Sequence, residues 1–208
     1  MKLKYAVLGL AVVMGFASAA QASQTDYFWG IDAGYTLPDT GNMKFKNVVI
    51  DDGVSMDESG QYSTSGGLAL GLYGGVVLNE HHKLSFGYRA DSSIQNLEAS
   101  EEEDNTLSTI HEFYTRYDYL VPITNALDWT VGGTLGYEQA KVGEVLKPKG
   151  FLYGAQTGLE YRFTHWLIGT DVAYVKHGME DGIKNEFGEV NVSFDDELQL
   201  MTHIEYRY

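Results

Sequence analysis

The feature that most constrains this chain is a two-residue alternation of apolar and small or polar side chains, repeated in eight segments, with no later apolar run long enough for a spanning helix. In residues 27 to 37, Tyr27, Trp29, Ile31, Ala33, Tyr35 and Leu37 share one parity. Gly30, Asp32, Gly34 and Thr36 share the other. Period two means strands, because successive side chains of an extended chain point to opposite faces. The same pattern runs through Leu68, Leu70, Leu72, Val76 and Leu78, then Leu84, Phe86, Tyr88 and Ala90. A less regular fourth segment carries His111, Phe113, Thr115, Tyr117, Tyr119 and Val121 against Glu112, Tyr114, Arg116 and Asp118. The others are built on Trp129 to Tyr137, Phe151 to Phe163, Trp166 to Tyr174 and Leu198 to Tyr208.

Each segment is about the 9 to 11 residues that a tilted strand needs to cross a bilayer. An even count lets an antiparallel sheet close on itself, and closure removes the unpaired edge amides that hydrocarbon penalises by several kcal/mol each. The links alternate in length. Residues 79–83, 122–127 and 164–165 are short, whereas 38–66, 92–108, 141–150 and 178–195 are long. Short periplasmic turns and long outer loops are the organisation of outer-membrane barrels. The 38–66 link either extends the first two strands beyond the membrane or is disordered. Aromatic residues gather at the ends of the apolar faces, with Tyr27, Trp29, Tyr117, Tyr119, Trp129, Tyr161, Phe163, Trp166, Tyr206 and Tyr208 toward the periplasm. Tyr35, Tyr137 and Tyr174 lie toward the outside. Such girdles sit where a membrane meets water.

The first residues carry Lys2 and Lys4, an apolar run from Tyr5 to Phe16, and small residues ending in Ala20, Gln21 and Ala22. This is the build of a secretory signal peptide, with cleavage expected after Ala22. The run is too short for a membrane-spanning helix. Residues 23–208 are then one barrel domain, and without cysteine it must be held by burial and a closed hydrogen-bond network. Loss of Lys2 and Lys4 takes the formal charge from −15 to about −17. Nucleic acid is not expected as a partner, since phosphate neutralisation needs Lys and Arg, in which this acidic chain is poor.

The expected fold is therefore all-β, a transmembrane antiparallel eight-stranded up-and-down β-barrel. The signal peptide, the eight segments and a last strand carrying Leu200, Thr202, Ile204, Tyr206 and Tyr208 resemble the small outer-membrane barrel families: the OmpA transmembrane domain, the OmpX group and the opacity-type porin-like proteins. The resemblance covers the mature chain and implies the bacterial cell outer membrane as its place. It also implies that Ile204, Tyr206 and Tyr208 act as the signal to the barrel-assembly machinery. Those families usually end in Phe, so Tyr208 departs from the pattern. The likeness is to an architecture and carries no function residue by residue.

On this parity the interior holds Asp32, Arg89, Asp91, Glu112, Arg116, Asp118, Glu138, Glu160, Arg162, Asp171, Glu205 and Arg207. Eight strands leave room only for side chains, so a plugged core of ion pairs and trapped water is the first expectation. A narrow cation-passing channel, opened when Arg89 or Arg116 exchanges carboxylate partners, is the alternative. Glu98, Glu101, Glu102, Glu103 and Asp104 form the most acidic outer stretch, and Asp51, Asp52, Asp57 and Glu58 add to the first loop. They form a solvated surface or attract a cation or a basic host protein; divalent ions bridging to lipopolysaccharide phosphates are a looser alternative. A lipid-A-modifying enzyme needs a serine, a histidine and an acid together at the outer leaflet. His111 and His177 reach that level on the lipid-facing parity, but no strand serine joins them. The expectation is a monomeric, non-enzymatic barrel without metal or cofactor, serving an envelope-structural or surface adhesion role among outer-membrane lipid and lipopolysaccharide.

Overall fold

The computed structural model describes residues 25–37, 39–50, 54–95, 106–141, 148–178, 180–185, 188–193 and 196–208, with side chains placed at 25–37, 66–92, 109–140, 148–178 and 196–208. The first 24 residues, the acidic run Glu98 to Asp104 and the Asp51–Asp52 pair lie outside the described residues, and the side chains of Asp57 and Glu58 do as well.

Eleven strands follow in chain order: β1 (Thr25–Thr36), β2 (Asp39–Ile50), β3 (Val54–Leu78), β4 (His82–Gln95), β5 (Thr106–Pro122), β6 (Leu127–Lys141), β7 (Lys149–Phe163), β8 (Trp166–His177), β9 (Glu180–Asn185), β10 (Gly188–Ser193) and β11 (Glu197–Arg207). Eight of them close a barrel. β1 pairs with β11 on one side and with β3 on the other, and antiparallel neighbours run from β3 through β4, β5, β6, β7 and β8 back to β11. Every barrel strand therefore has two neighbours, as a sheet in hydrocarbon requires.

The short turns explain where strands stop. Between β3 and β4, Asn79 and Glu80 both take positive φ (53° and 63°), and the His81 N–H donates to the Leu78 carbonyl at 3.2 Å. Two left-handed residues at the centre of this turn, within a three-residue link, match the right-handed twist of the flanking strands. Thr164 is also left-handed in the tight link from β7 to β8. Between β5 and β6, the Thr124 hydroxyl accepts the N–H groups of Ala126 and Leu127 at 3.2 and 3.0 Å.

The long links differ from the loops the sequence suggests. β2 runs in the direction of β1 and pairs with the upper half of β3, from Asp39↔Thr64 to Ile50↔Val54. β9 and β10 likewise prolong β8 and β11, β10 pairing with β2, while Lys149↔Glu180 ties β9 to β7. The 38–66 segment thus extends the strands, and part of 178–195 forms a hairpin in the same wall. A register shift between Ser65 and Leu68 against β4 puts an extra residue into β3. An extra residue of this kind puts a period-two reading of the sequence out of phase across the bulge.

Within the barrel the apolar residues face outward. Leu68, Leu70, Leu72, Leu135 and Phe113 are each more than 60% exposed, whereas Asp118, Glu138, Glu160 and Glu205 are 0% exposed. That is the inverse of a water-soluble barrel. Tyr27, Trp29, Tyr119, Trp129, Tyr161, Phe163, Trp166 and Tyr208 ring the periplasmic end, and Tyr35, Tyr137 and Tyr174 the outer end. The inward apolar residues are few. Phe28, Tyr73, Val77, Tyr114 and Leu120 form a plug in the periplasmic half.

Candidate functional site: the charged barrel interior

Inward positions recur at every second residue of all eight strands, so polar side chains from distant parts of the chain meet inside. The twelve charged residues that the alternation assigns to one face line this interior, with Arg116 and Arg162 less covered than the rest. They fall into three layers.

In the periplasmic layer, the Lys83 ammonium lies between the carboxylates of Glu160 on β7 and Glu205 on β11, all three side chains at most 3% exposed. Arg207 reaches the same pair at 3.4 and 3.6 Å, and the Tyr73 hydroxyl donates to Glu205 at 2.9 Å. Lys83 also stands 5.1 Å from the centre of the Phe28 ring, a cation–π approach. Arg162 pairs with Asp128 at 2.5 Å.

The middle layer turns on Arg89, Arg116 and His203. Arg116 holds Asp118 at 2.6 Å and Asp171 at 2.9 Å, and Gln156 donates to the other oxygen of Asp118 at 2.9 Å. His203 joins this layer to the first, with Nδ1 3.2 Å from Asp171 and Nε2 3.3 Å from Glu160. Arg89 donates to Gln199 at 2.9 Å and approaches Asp32 and Glu112 at 3.4 and 3.5 Å, its guanidinium 4.9 Å from the Tyr114 ring. Tyr114 donates to Asp32 at 2.9 Å.

In the outer layer, Thr36 donates to Asp91 at 2.5 Å, and His177 stands between Glu138 at 2.6 Å and Glu197 at 3.3 Å. His177 is therefore not at the lipid-facing level. Its side chain is 3% exposed and inward, as its odd position in β8 dictates, whereas His111 does face outward. His111 stacks on Tyr88, whose hydroxyl meets Nδ1 at 2.6 Å.

Lys83 was hidden in the sequence because residues 79–83 read as a turn with the strand from Leu84; β4 begins two residues earlier, at His82. Asp128 was missed at the edge of the next short link in the same way, and β6 begins at Leu127. A formal charge count leaves histidine out, so His177 and His203 do not stand out among the charged residues, although their parity marks them as inward.

Ten carboxylates thus face five permanent cations inside the described barrel. Buried oxygens of Asp32, Asp91 and Glu138 have no protein partner. The interior cavity, lined by Asp32, Tyr73, Lys83, Arg89, Tyr114, Arg116, Asp171 and His203 among others, measures about 10 Å³. That is room for about one water. Glu160, His203 and Glu205 bring donor atoms within 4.8 Å of one another, a spacing that suits a metal ion. The Lys83 ammonium already fills the role of cation against both carboxylates, so the set does not present an open metal site.

No protein-family model matches the chain, and no curated protein matches it in sequence. Among solved structures, the outer membrane protein OprG from Pseudomonas aeruginosa is similar with a TM-score of 0.65 and 13% identity, over 89% of this chain and 97% of OprG. Neisserial surface protein A is similar with a TM-score of 0.54 and 14% identity, over 89% of this chain and 99% of its own. With its apolar belt outward, its girdles at both ends and its charges enclosed, the chain takes the fold of the small eight-stranded β-barrels of the bacterial outer membrane, and that membrane is its place.

Proposed function

We propose that this chain is a non-conducting, non-enzymatic barrel that anchors an outer wall and acidic surface segments at the cell exterior, in an envelope-structural or adhesive role. The observation that carries the reading is the filled interior: three layers of ion pairs and hydrogen bonds around a cavity of about 10 Å³. An ion shedding its water to pass would have to break contacts such as Arg116 with Asp118 and Asp171. The extension built by β2, β9, β10 and the top of β3 supplies a wall beyond the membrane, and the chain also carries the acidic run Glu98 to Asp104. That run is read as a solvated surface or as a docking point for a basic host partner. Ile204, Tyr206 and Tyr208 are read as the assembly signal, and the barrel as a monomer.

Against catalysis, each described histidine is engaged in a way that suits structure. His111 meets Tyr88, His177 and His203 are held between carboxylates, His81 and His82 lie at the periplasmic turn, and the His165 ring packs against Tyr206. The second reading, a narrow cation-passing channel, is favoured by the excess of carboxylates over cations inside. Single-channel recording on the refolded protein in planar bilayers separates the two. No conductance steps are expected from the native barrel. Steps with cation selectivity that grow in Arg116→Ala would replace the structural reading by the channel.

A further inference from the structure

Among the described side chains, the wall of β4 to β7 carries a row of long polar residues directly above a row of aromatic ones. On β4 to β7 the aromatic row Tyr88, Phe113, Tyr137 and Phe151 runs across four strands in register. Phe113 and Phe151 are 62% and 72% exposed, and the ring pairs Tyr88–Phe113 and Tyr137–Phe151 stand 5.1 and 5.7 Å apart. The next outward-facing row toward the cell exterior is Ala90, His111, Gln139 and Lys149. His111, Gln139 and Lys149 are all exposed. Strands lie about 4.8 Å apart, so these three side chains span about 10 Å of wall directly above an aromatic shelf.

We propose that this row binds the phosphate-bearing headgroup of an outer-leaflet lipid, whose acyl chains lie along the aromatic and aliphatic belt beneath it. The inference rests on the outer-membrane reading and goes beyond it by naming the wall and the residues. Charge complementarity identifies the occupant. Lys149 supplies an ammonium with three donors, Gln139 an amide, and His111 its Nε2, since Tyr88 already engages Nδ1. Lys176, the other outward lysine with a placed side chain, is held by Asp196 at 2.7 Å. The shelf selects a lipid over free phosphate, because Phe113 and Phe151 offer their exposed faces to acyl chains and nothing to an isolated anion.

The test is native mass spectrometry of the protein refolded in phosphatidylcholine nanodiscs doped with bisphosphorylated lipid A. Parallel arms carry the dephosphorylated lipid and inorganic phosphate alone. Lysine-to-alanine substitution at residue 149 is expected to weaken retention of lipid A at least about tenfold, the loss of a charge-assisted hydrogen bond. The triple variant His111→Ala, Gln139→Ala, Lys149→Ala should abolish retention, and Lys176→Ala should leave it unchanged. Equal retention by native protein and K149A overturns the proposal, as does equal retention of the dephosphorylated lipid. Displacement by inorganic phosphate at comparable concentration overturns the lipid as occupant. Each variant is first checked for a compact band that slows on boiling. Absence of that band in the native protein, before any lipid A is added, would instead refute the outer-membrane reading.

Discussion

Replacing Lys83 by methionine keeps the volume of the side chain and removes its charge. Glu160 and Glu205, both 0% exposed, then face each other without the ammonium between them. Breaking a buried ion pair by removing one partner costs about 3–5 kcal/mol, because the remaining charge is left uncompensated. Here part of the compensation survives. Arg207 stays 3.4 Å from Glu160 and 3.6 Å from Glu205, and His203 and Tyr73 keep their contacts. The loss should therefore fall at the lower end, about 3 kcal/mol. With a urea dependence of about 1–3 kcal/mol per molar, the midpoint moves down by about 1–3 M. The assay is equilibrium unfolding of the bilayer-refolded barrel, scored as the fraction of unboiled protein in the compact band. The double variant Lys83→Met, Glu205→Gln leaves Glu160 with Arg207 and His203 and should recover much of the loss. A coupling of more than about 1 kcal/mol in the resulting cycle is expected for groups in contact. A K83M midpoint indistinguishable from the native one, or a double variant weaker than the single, would refute the assignment of Lys83 as the clamp of this layer.

Depth on the outer wall sets a second outcome. Leu72 lies opposite Ile31 in mid-span, and Leu72→Arg should cost about 2–4 kcal/mol, against about 0–1 for Leu198→Arg near the outer rim; equal costs in bilayer unfolding would argue against the belt. Gly75 faces the interior where an added Cβ would stand 2.0 Å from the Leu84 carbonyl oxygen and 2.9 Å from the Phe28 ring. Gly75→Val should lose the compact band on refolding, while Gly133→Ala, whose nearest neighbour would be 3.3 Å away, should keep it; the reverse order would contradict the packing described. At the outer rim, hydrogen bonds from Lys176 and Tyr174 hold the Asp196 carboxyl below the usual aspartate range. A depressed folded-state value adds stability above the ordinary titration range, and that contribution disappears as pH falls through the depressed value. In an NMR titration, Lys176→Ala should raise the Asp196 midpoint, and an unmoved midpoint would remove the pair from the account.

Barrel closure was legible because it follows from one periodicity and from the intolerance of hydrocarbon for unpaired amides. Trp29 to Leu37 alternate without a break, and the structure pairs that segment on both sides. The outer wall was not legible, for a physical reason. β2 alternates over Asn42, Met43, Lys44, Phe45 and Lys46 but then runs apolar through Val48, Val49 and Ile50, across a register shift against β3 between Phe45 and Val48. A second shift, between Ser65 and Leu68 against β4, puts one more residue into β3, so a period-two pattern read upward from the membrane loses phase there. Inside, parity reports which residues face the lumen, but partner choice depends on the stagger between strands. Lys83 and Glu160 are 77 residues apart, and only the register brings them together. Lys83 itself was obscured by its place beside a turn, where a lysine reads as surface.

The division of labour between the two basic residues gives a physical reason for the charge pattern. All four arginines, Arg89, Arg116, Arg162 and Arg207, are in the interior, whereas Lys83 is the lysine among the described side chains that lies there. A guanidinium offers five donors in a planar fork and is more weakly hydrated than an ammonium, so it serves several carboxylates at once at a lower desolvation cost. Arg116 does this with Asp118 and Asp171, and Arg89 with Asp32, Glu112 and Gln199. Between Glu160 and Glu205 the space is bounded by Phe28, Tyr73 and Arg207, and a compact ammonium suits a gap that a planar fork would overfill. Lysine 83→Arg should thus be less stable than native although it preserves charge. A bilayer unfolding midpoint for K83R at or above the native value would show that charge alone, and not the shape of the gap, decides this position.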